Sequence, residues 1–188
     1  MNKFLEEIQE QPEALKQTFC YYRSEEGKKS LKIVCALWKS GEYDRIVFTG
    51  MGSSYFISQA AATMISSASI PASAINAGES PSLTERTLLI AVSQSGESYE
   101  VIELLKKQRR LPITVIGITN ESGSSLAVMA THCLLCKAGK EEMTSTKTFI
   151  TTYLAVYLLA ESLKRHEVNE EALDGIIREV ERQLAERD

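Results

Sequence analysis

The chain has 188 residues and a mass of 20.9 kDa, with 44% hydrophobic residues, 24% charged residues and a formal net charge of −4. This composition is close to the globular average, which excludes a disordered or fibrous chain, and the length suits one hydrophobic core. The acidic balance gives no general attraction for nucleic acid or for an anionic membrane.

The sequence predicts a cytoplasmic protein. Its first fifteen residues carry acidic side chains where a signal peptide needs an apolar run. No segment reaches the roughly 18 uninterrupted apolar residues of a membrane span, and the most apolar one, Phe149 to Ala160, contains two threonines and two tyrosines. Four cysteines in a chain of this length do not indicate a disulfide framework.

The elements at the start of the chain are predicted to be helical. Apolar residues from Phe4 to Phe19 fall near one helical face, with Pro12 as a break or restart, and another helix is predicted over residues 25–39. After Gly41 the pattern changes to short β-branched runs alternating with helical stretches.

Five short apolar runs predict five β-strands, at residues 45–49, 72–76, 87–92, 113–119 and 132–136. Continuous apolar runs suit strands that are covered on both faces. Predicted helices separate or follow these strands, at about residues 54–67, 98–108, 124–130, 148–163 and 169–185. Alternation at this spacing predicts a three-layer α/β fold with a doubly wound, five-stranded parallel sheet and extra helices at both termini.

Three segments are expected along the chain: N-terminal helices (1–40) that pack on the domain, a ligand-binding domain (41–165), and an amphipathic C-terminal helix (166–188). The last two helices carry more apolar surface than a small domain usually needs. That surplus predicts either a homodimer interface or contact with a further domain.

Serine and glycine follow three of the predicted strands, in the segments GMGSS (50–54), SQSGES (93–98) and TNESGSS (119–125). In open parallel sheets, ligands bind beyond the carboxyl ends of the strands. Each segment opens a helix, whose free N–H groups and dipole favour an anion such as phosphate. The hydroxyl groups and the Gln94 amide also suit a sugar. Serine is a common helix cap, but capping alone explains three such loops at one edge poorly.

Nucleotide sites fit the sequence less well. The P-loop pattern GxxxxGK[ST] is absent. A dinucleotide fingerprint would need a small residue where Tyr55 follows Gly50 and Gly52.

The chain resembles the sugar isomerase (SIS) domain family. The resemblance rests on four segments in the order typical of the family, which are FTGMGSS (48–54), SQSGES (93–98), NESGSSL (120–126) and AGKE (138–141) running into STK (145–147). It covers roughly residues 45–158. It is greatest to the first SIS domain in the isomerase part of glucosamine-6-phosphate synthase and to the fructosamine-6-phosphate deglycase group.

The resemblance implies a site for a sugar 6-phosphate or an amino-sugar phosphate, with no metal and no other cofactor. The positions that match the family's sugar and phosphate contacts are Gly52, Ser53, Ser54, Ser93, Gln94, Ser95, Ser98, Ser145 and Lys147. Lys147 could attract the phosphate or form an internal ion pair. Glu141 matches the family's AGxE glutamate and is the acid–base candidate, with an ion pair as the alternative.

The sequence departs from the family in two respects. The segment 140–144 is one residue shorter than in the synthase, and two-domain members take their catalytic glutamate, histidine and lysine from a second SIS domain. The sequence therefore predicts one half of a two-domain enzyme that isomerises or deglycates hexose or hexosamine 6-phosphates. The alternative is a phosphosugar-sensing or regulatory module without catalysis.

Several other polar residues have structural interpretations. Cys133 and Cys136 are expected to point to opposite faces of a strand, as buried thiols rather than metal ligands. His132 is expected to be structural, and His166 to lie on the surface at a helix end. Glu97 is expected to cap its own helix or to contact a ligand across a subunit interface.

Overall fold

The computed structural model describes residues 2–79, 82–108 and 111–186. The outermost positions of the predicted terminal segments, 1 and 187–188, lie outside the described residues. The elements in chain order are α1 (Lys3–Gln9), α2 (Gln11–Arg23), α3 (Glu25–Lys39), β1 (Arg45–Gly50), α4 (Ser53–Ser66), β2 (Ala72–Asn76), β3 (Thr87–Val92), α5 (Tyr99–Gln108), β4 (Thr114–Thr119), α6 (Ser125–Met129), β5 (His132–Leu135), α7 (Lys147–Lys164) and α8 (Glu170–Ala185).

The strands form one parallel sheet in the order β2-β1-β3-β4-β5. Phe48 of β1 pairs with Ala74 of β2 and with Ile90 of β3. All six residues of β3 are buried, which explains its continuous apolar run, because the central strand is covered on both faces. The predicted doubly wound, five-stranded α/β fold is confirmed.

Two hydrophobic clusters cover the two faces of this sheet. Side chains alternate along each strand, so Ile46 and Phe48 belong to one cluster and Val47 to the other. The larger cluster joins the sheet to α2, α3, α4 and α7, and the smaller one joins it to α5 and α6. The molecule therefore has three layers.

The terminal helices pack on the side of the larger cluster. Pro12 lies in the first turn of α2, where a missing N–H costs nothing, so it marks a new helix rather than a break. Ser24 caps α3 by accepting the N–H of Gly27 at 3.2 Å, and Asn169 caps α8 by accepting that of Ala172 at 2.9 Å. Helix α8 packs on α2, and its Ile177 and Leu173 contribute to the larger cluster. In the part of the chain that is described, no helix is long and apolar enough to span a membrane.

Candidate functional site

The carboxyl ends of β1, β3 and β4 lie side by side, because these three strands are parallel neighbours. The loops after β3 and β4 are also bonded directly to each other. The N–H of Asn120 donates to the carbonyl of Gln94 at 3.0 Å, and the N–H of Leu126 donates to that of Gly96 at 2.9 Å. The structure thus brings the predicted Ser/Gly-rich loops to one edge of the sheet.

The loop after β3 is a compact turn with its serines in different environments. Ser93 is only 1% exposed, and its hydroxyl lies 2.8 Å from that of Ser98. Ser95 is exposed, and its Oγ accepts the N–H of Glu97 at 3.2 Å. Ser93 and Ser98 therefore brace the turn from inside, while Ser95 faces outward.

Gly96 makes this turn possible. Its φ is +67°, and a Cβ built there would lie 2.0 Å from the Oγ of Ser124. A larger residue would therefore be both strained and sterically excluded.

An open cleft of about 1100 Å³ lies at this edge of the sheet. Its wall is formed by residues of α2 and of the loops after β3, β4 and β5: Gln17, Cys20, Tyr21, Gln94, Ser95, Asn120, Glu121, Lys137, Gly139, Lys140 and Glu141. Three of the site residues predicted from the sequence, Gln94, Ser95 and Glu141, thus share one cavity. Within the described ranges, the other predicted site residues are not part of this wall.

The loop after β1 also has a backbone that a ligand could approach closely. Gly52 has a φ of +51°, and Ser53 and Ser54 are the first residues of α4. No side chain caps α4 within the described structure, so its first N–H groups depend on backbone turns. Just before this loop, the buried hydroxyl of Thr49 has no hydrogen-bond partner among the described residues.

Glu141 caps helix α7. Its carboxylate accepts the N–H and the hydroxyl of Thr146, each at 2.9 Å, and the N–H of Thr148 at 3.3 Å; it also accepts the hydroxyl of Thr148. This is the position at which a helix dipole favours a negative charge. The alternative of an ion pair for Glu141 does not occur among the described residues. Ser145, in the same loop, places its hydroxyl 3.0 Å from that of Thr148.

Lys147 is 5% exposed and forms an ion pair with Glu10, the residue before α2. Of the two roles expected for Lys147, the structure therefore shows the internal ion pair.

The loop between β5 and α7 is also held by Glu7 of α1. Glu7 is fully buried, and its carboxylate accepts the N–H of Glu142 at 2.6 Å and that of Met143 at 3.2 Å. The N-terminal helices thus fix the loop that brings Glu141 to the cleft. This contact was not predicted from the sequence, where its one signal is that Glu7 and Glu10 stand three residues apart, on one side of a helical turn.

Glu97 caps a different helix from the one expected. Its carboxylate accepts the N–H of Ser125 at 2.7 Å, at the start of α6, and this hydrogen bond lowers the pKa of Glu97. The prediction that it caps its own helix was wrong, because the turn at Gly96 brings the start of α6 alongside Glu97.

His132 and Cys136 have the structural environments expected of them, but Cys133 is only half-buried, because it lies on the edge strand β5. His132 Nε2 lies 2.9 Å from the Ser30 hydroxyl, and burial lowers the pKa of His132. Burial raises the pKa of Cys133 to about 11 and that of Cys136 to about 12, so both remain thiols. Among the described residues, no group of three His, Cys, Asp or Glu side chains could hold a metal ion.

His166 is largely exposed, as expected, with its Nδ1 3.2 Å from a Glu161 oxygen.

The five-stranded parallel sheet and the loops at its carboxyl edge belong to a known domain family. The family model for the SIS domain matches residues 42–162, and the chain belongs to this family. The Pyrococcus horikoshii protein named glutamine–fructose-6-phosphate aminotransferase (isomerizing) is 33% identical over 166 residues, which is 85% of this chain and 27% of that protein. The chain therefore spans little more than a quarter of the length of this curated relative.

Solved structures show the same fold. The C-terminal domain of glucosamine-fructose-6-phosphate aminotransferase from Francisella tularensis superposes with a TM-score of 0.74 at 28% identity, covering 97% of this chain and 54% of that one. A Silicibacter pomeroyi protein assigned as a phosphosugar isomerase gives a TM-score of 0.77 at 23% identity, covering 96% of this chain and 56% of that one.

Proposed function

We propose that this chain binds hexose or hexosamine 6-phosphates at the cleft beyond β3 and β4. The observation that carries the proposal is the outward-facing Ser95 beside Gln94, on a turn that opens helix α5 and lines this cleft. Hydroxyl, amide and helix N–H groups suit a phosphate and a sugar together. The name of the Pyrococcus horikoshii relative supports fructose 6-phosphate as a ligand.

Thermal shift with sugars tests this proposal. We expect fructose 6-phosphate to raise the melting temperature and fructose to leave it unchanged at the same concentration, because fructose lacks the charged phosphate group that anchors the ligand at the turn. Equal shifts for the two sugars would contradict a phosphate site.

We propose further that the chain acts as one half of a two-domain enzyme of aldose–ketose isomerisation or deglycation. In such a reaction a carboxylate carries a proton between C1 and C2 while the bound phosphate holds the far end of the sugar. A phosphosugar-sensing module is the second candidate. It is favoured by Glu141, whose carboxylate is occupied in capping α7.

Turnover tests whether the chain catalyses on its own, which neither candidate requires. We expect the isolated chain to convert fructose 6-phosphate to glucose 6-phosphate little or not at all, because the acid–base candidate in its cleft is already hydrogen-bonded by Thr146 and Thr148. A coupled assay of the chain and of its Glu141→Gln variant measures this. Robust turnover that disappears in the variant would instead make Glu141 a catalytic residue and the chain a complete enzyme.

We also propose a homodimer in the cytoplasm. An apolar groove of about 580 Å³ lies between α2, α7 and α8, and it includes the exposed side chains of Tyr153 and Ile176. A second copy of the chain would cover this surface. A molar mass of twice 20.9 kDa, measured by light scattering, would support the dimer.

The proposed location in the cytoplasm is supported by the four free cysteines, which suit a reducing compartment.

A further inference from the structure

Lys137, which directly follows the buried Cys136, has a backbone conformation that lysine rarely adopts. Its φ is +55°. The neighbouring peptides are fixed on both sides: the N–H of Cys136 donates to the carbonyl of Thr119 at 3.0 Å, and the N–H of Ala138 donates to the Asn120 side chain at 2.8 Å. An unusual conformation held in place from both sides beside a cleft is a pointer to function.

The side chain of Lys137 is directed by Tyr21 of α2. Its ammonium lies 4.9 Å from the centre of the Tyr21 ring, within the range of a cation–π interaction. Both residues line the same cleft as Gln94 and Ser95. The lysine therefore presents its charge to the cavity in which the proposed phosphate turn lies.

The other charged groups of the cleft wall already have partners. Lys140 forms an ion pair with Glu142 at 2.9 Å, and Glu121 accepts the Asn120 amide at 2.9 Å. The Glu141 carboxylate caps α7. Over the residues that the structure describes, Lys137 has no carboxylate within ion-pair distance, so its charge is available to an anion in the cleft.

We propose that Lys137 is an anion-binding residue of this cleft, that it contacts the phosphate group of the ligand, and that Tyr21 is its positioning residue. The identity of the ligand as a phosphosugar rests on the proposed function above. An ammonium contact adds a charge-assisted hydrogen bond to the neutral donors of the serine turn.

Calorimetric titration with two probes, fructose 6-phosphate and inorganic phosphate, tests the role of Lys137. We expect Lys137→Met to weaken binding at least tenfold and Lys137→Arg to stay close to the wild type, because it keeps the charge. Lys39→Met is the matched control: it removes one exposed positive charge at the end of α3, before β1, and is expected to change nothing. Affinity of Lys137→Met within twofold of the wild type would overturn the proposal.

A double-mutant cycle tests the positioning role of Tyr21. We expect Tyr21→Leu to weaken binding several-fold, Tyr21→Phe to keep it because the ring remains, and Tyr21→Leu to have no further effect when Lys137 is already methionine. Equal losses from Tyr21→Leu in both backgrounds would show that Tyr21 acts independently of Lys137.

The two probes distinguish failure of this inference from failure of the proposed function. If inorganic phosphate binds in a Lys137-dependent way but fructose 6-phosphate does not bind, the phosphosugar function is wrong and the anion site stands. If fructose 6-phosphate binds and Lys137→Met changes nothing, only the inference is wrong. If neither probe binds, both are wrong.

Discussion

Replacing Ser95 by aspartate is expected to abolish phosphosugar binding while leaving the fold intact. Ser95 is exposed, and its Oγ makes one described hydrogen bond, in which it accepts the N–H of Glu97. The carboxylate of an aspartate at this position can accept the same N–H equally well. The new charge would face the phosphate. Two unit charges 4 Å apart repel by about 4 kcal/mol at an effective dielectric constant of 20. With allowance for solvent screening, we expect an affinity loss of more than about a hundredfold.

The matched control for this prediction is Ser95→Asn, which has nearly the same shape as aspartate and no charge. It should bind fructose 6-phosphate within about tenfold of the wild type, since a neutral amide can still donate to an anion. Calorimetry measures the affinities, and circular dichroism checks the fold of each variant. If Ser95→Asp kept its affinity with an unchanged spectrum, the phosphate would have to bind at another loop.

Replacing Gly96 by alanine is expected to destabilise the domain by roughly 2–5 kcal/mol. The left-handed backbone costs about 1–2 kcal/mol for a residue with a Cβ, and overpacking costs about 1–3 kcal/mol. The added Cβ would lie 2.0 Å from the Ser124 Oγ and 2.4 Å from its Cβ. Ser124 cannot easily withdraw, because its Oγ donates to the carbonyl of Glu121 and accepts the N–H of Ala127. Urea unfolding gives the free-energy change.

Substitutions at two other glycines separate the two causes of this loss of stability, backbone strain and steric overlap. Gly41 has a φ of +79°, and an added Cβ would meet nothing within 4 Å, so Gly41→Ala should cost only the backbone strain of about 1–2 kcal/mol. Gly123 has free space and no positive φ, so Gly123→Ala should stay within about 0.5 kcal/mol of the wild type. A Gly96→Ala variant no less stable than Gly41→Ala would show that the steric contact with Ser124 is relieved at little cost.

The sequence alone determined the architecture, because the signals for it are local. Continuous apolar runs such as 87–92 mark strands covered on both faces, and their spacing with helical segments requires a parallel sheet. The same logic brought the serine-rich loops to one edge, since parallel strands end together. The placement of Gln94 and Ser95 in the cleft follows from their position after β3.

Only the tertiary structure decided which polar groups are already occupied. Glu10 pairs with Lys147 across 137 positions, and Glu7 reaches the N–H of Glu142 across 135. The contact between the Lys137 ammonium and the Tyr21 ring likewise joins residues that are far apart in the sequence. Such contacts depend on how whole helices pack on the sheet, and no local periodicity encodes them. For the same reason the sequence identified Glu141 and Lys147 as site residues but could not show that Glu141 already caps α7 and that Lys147 is already paired with Glu10.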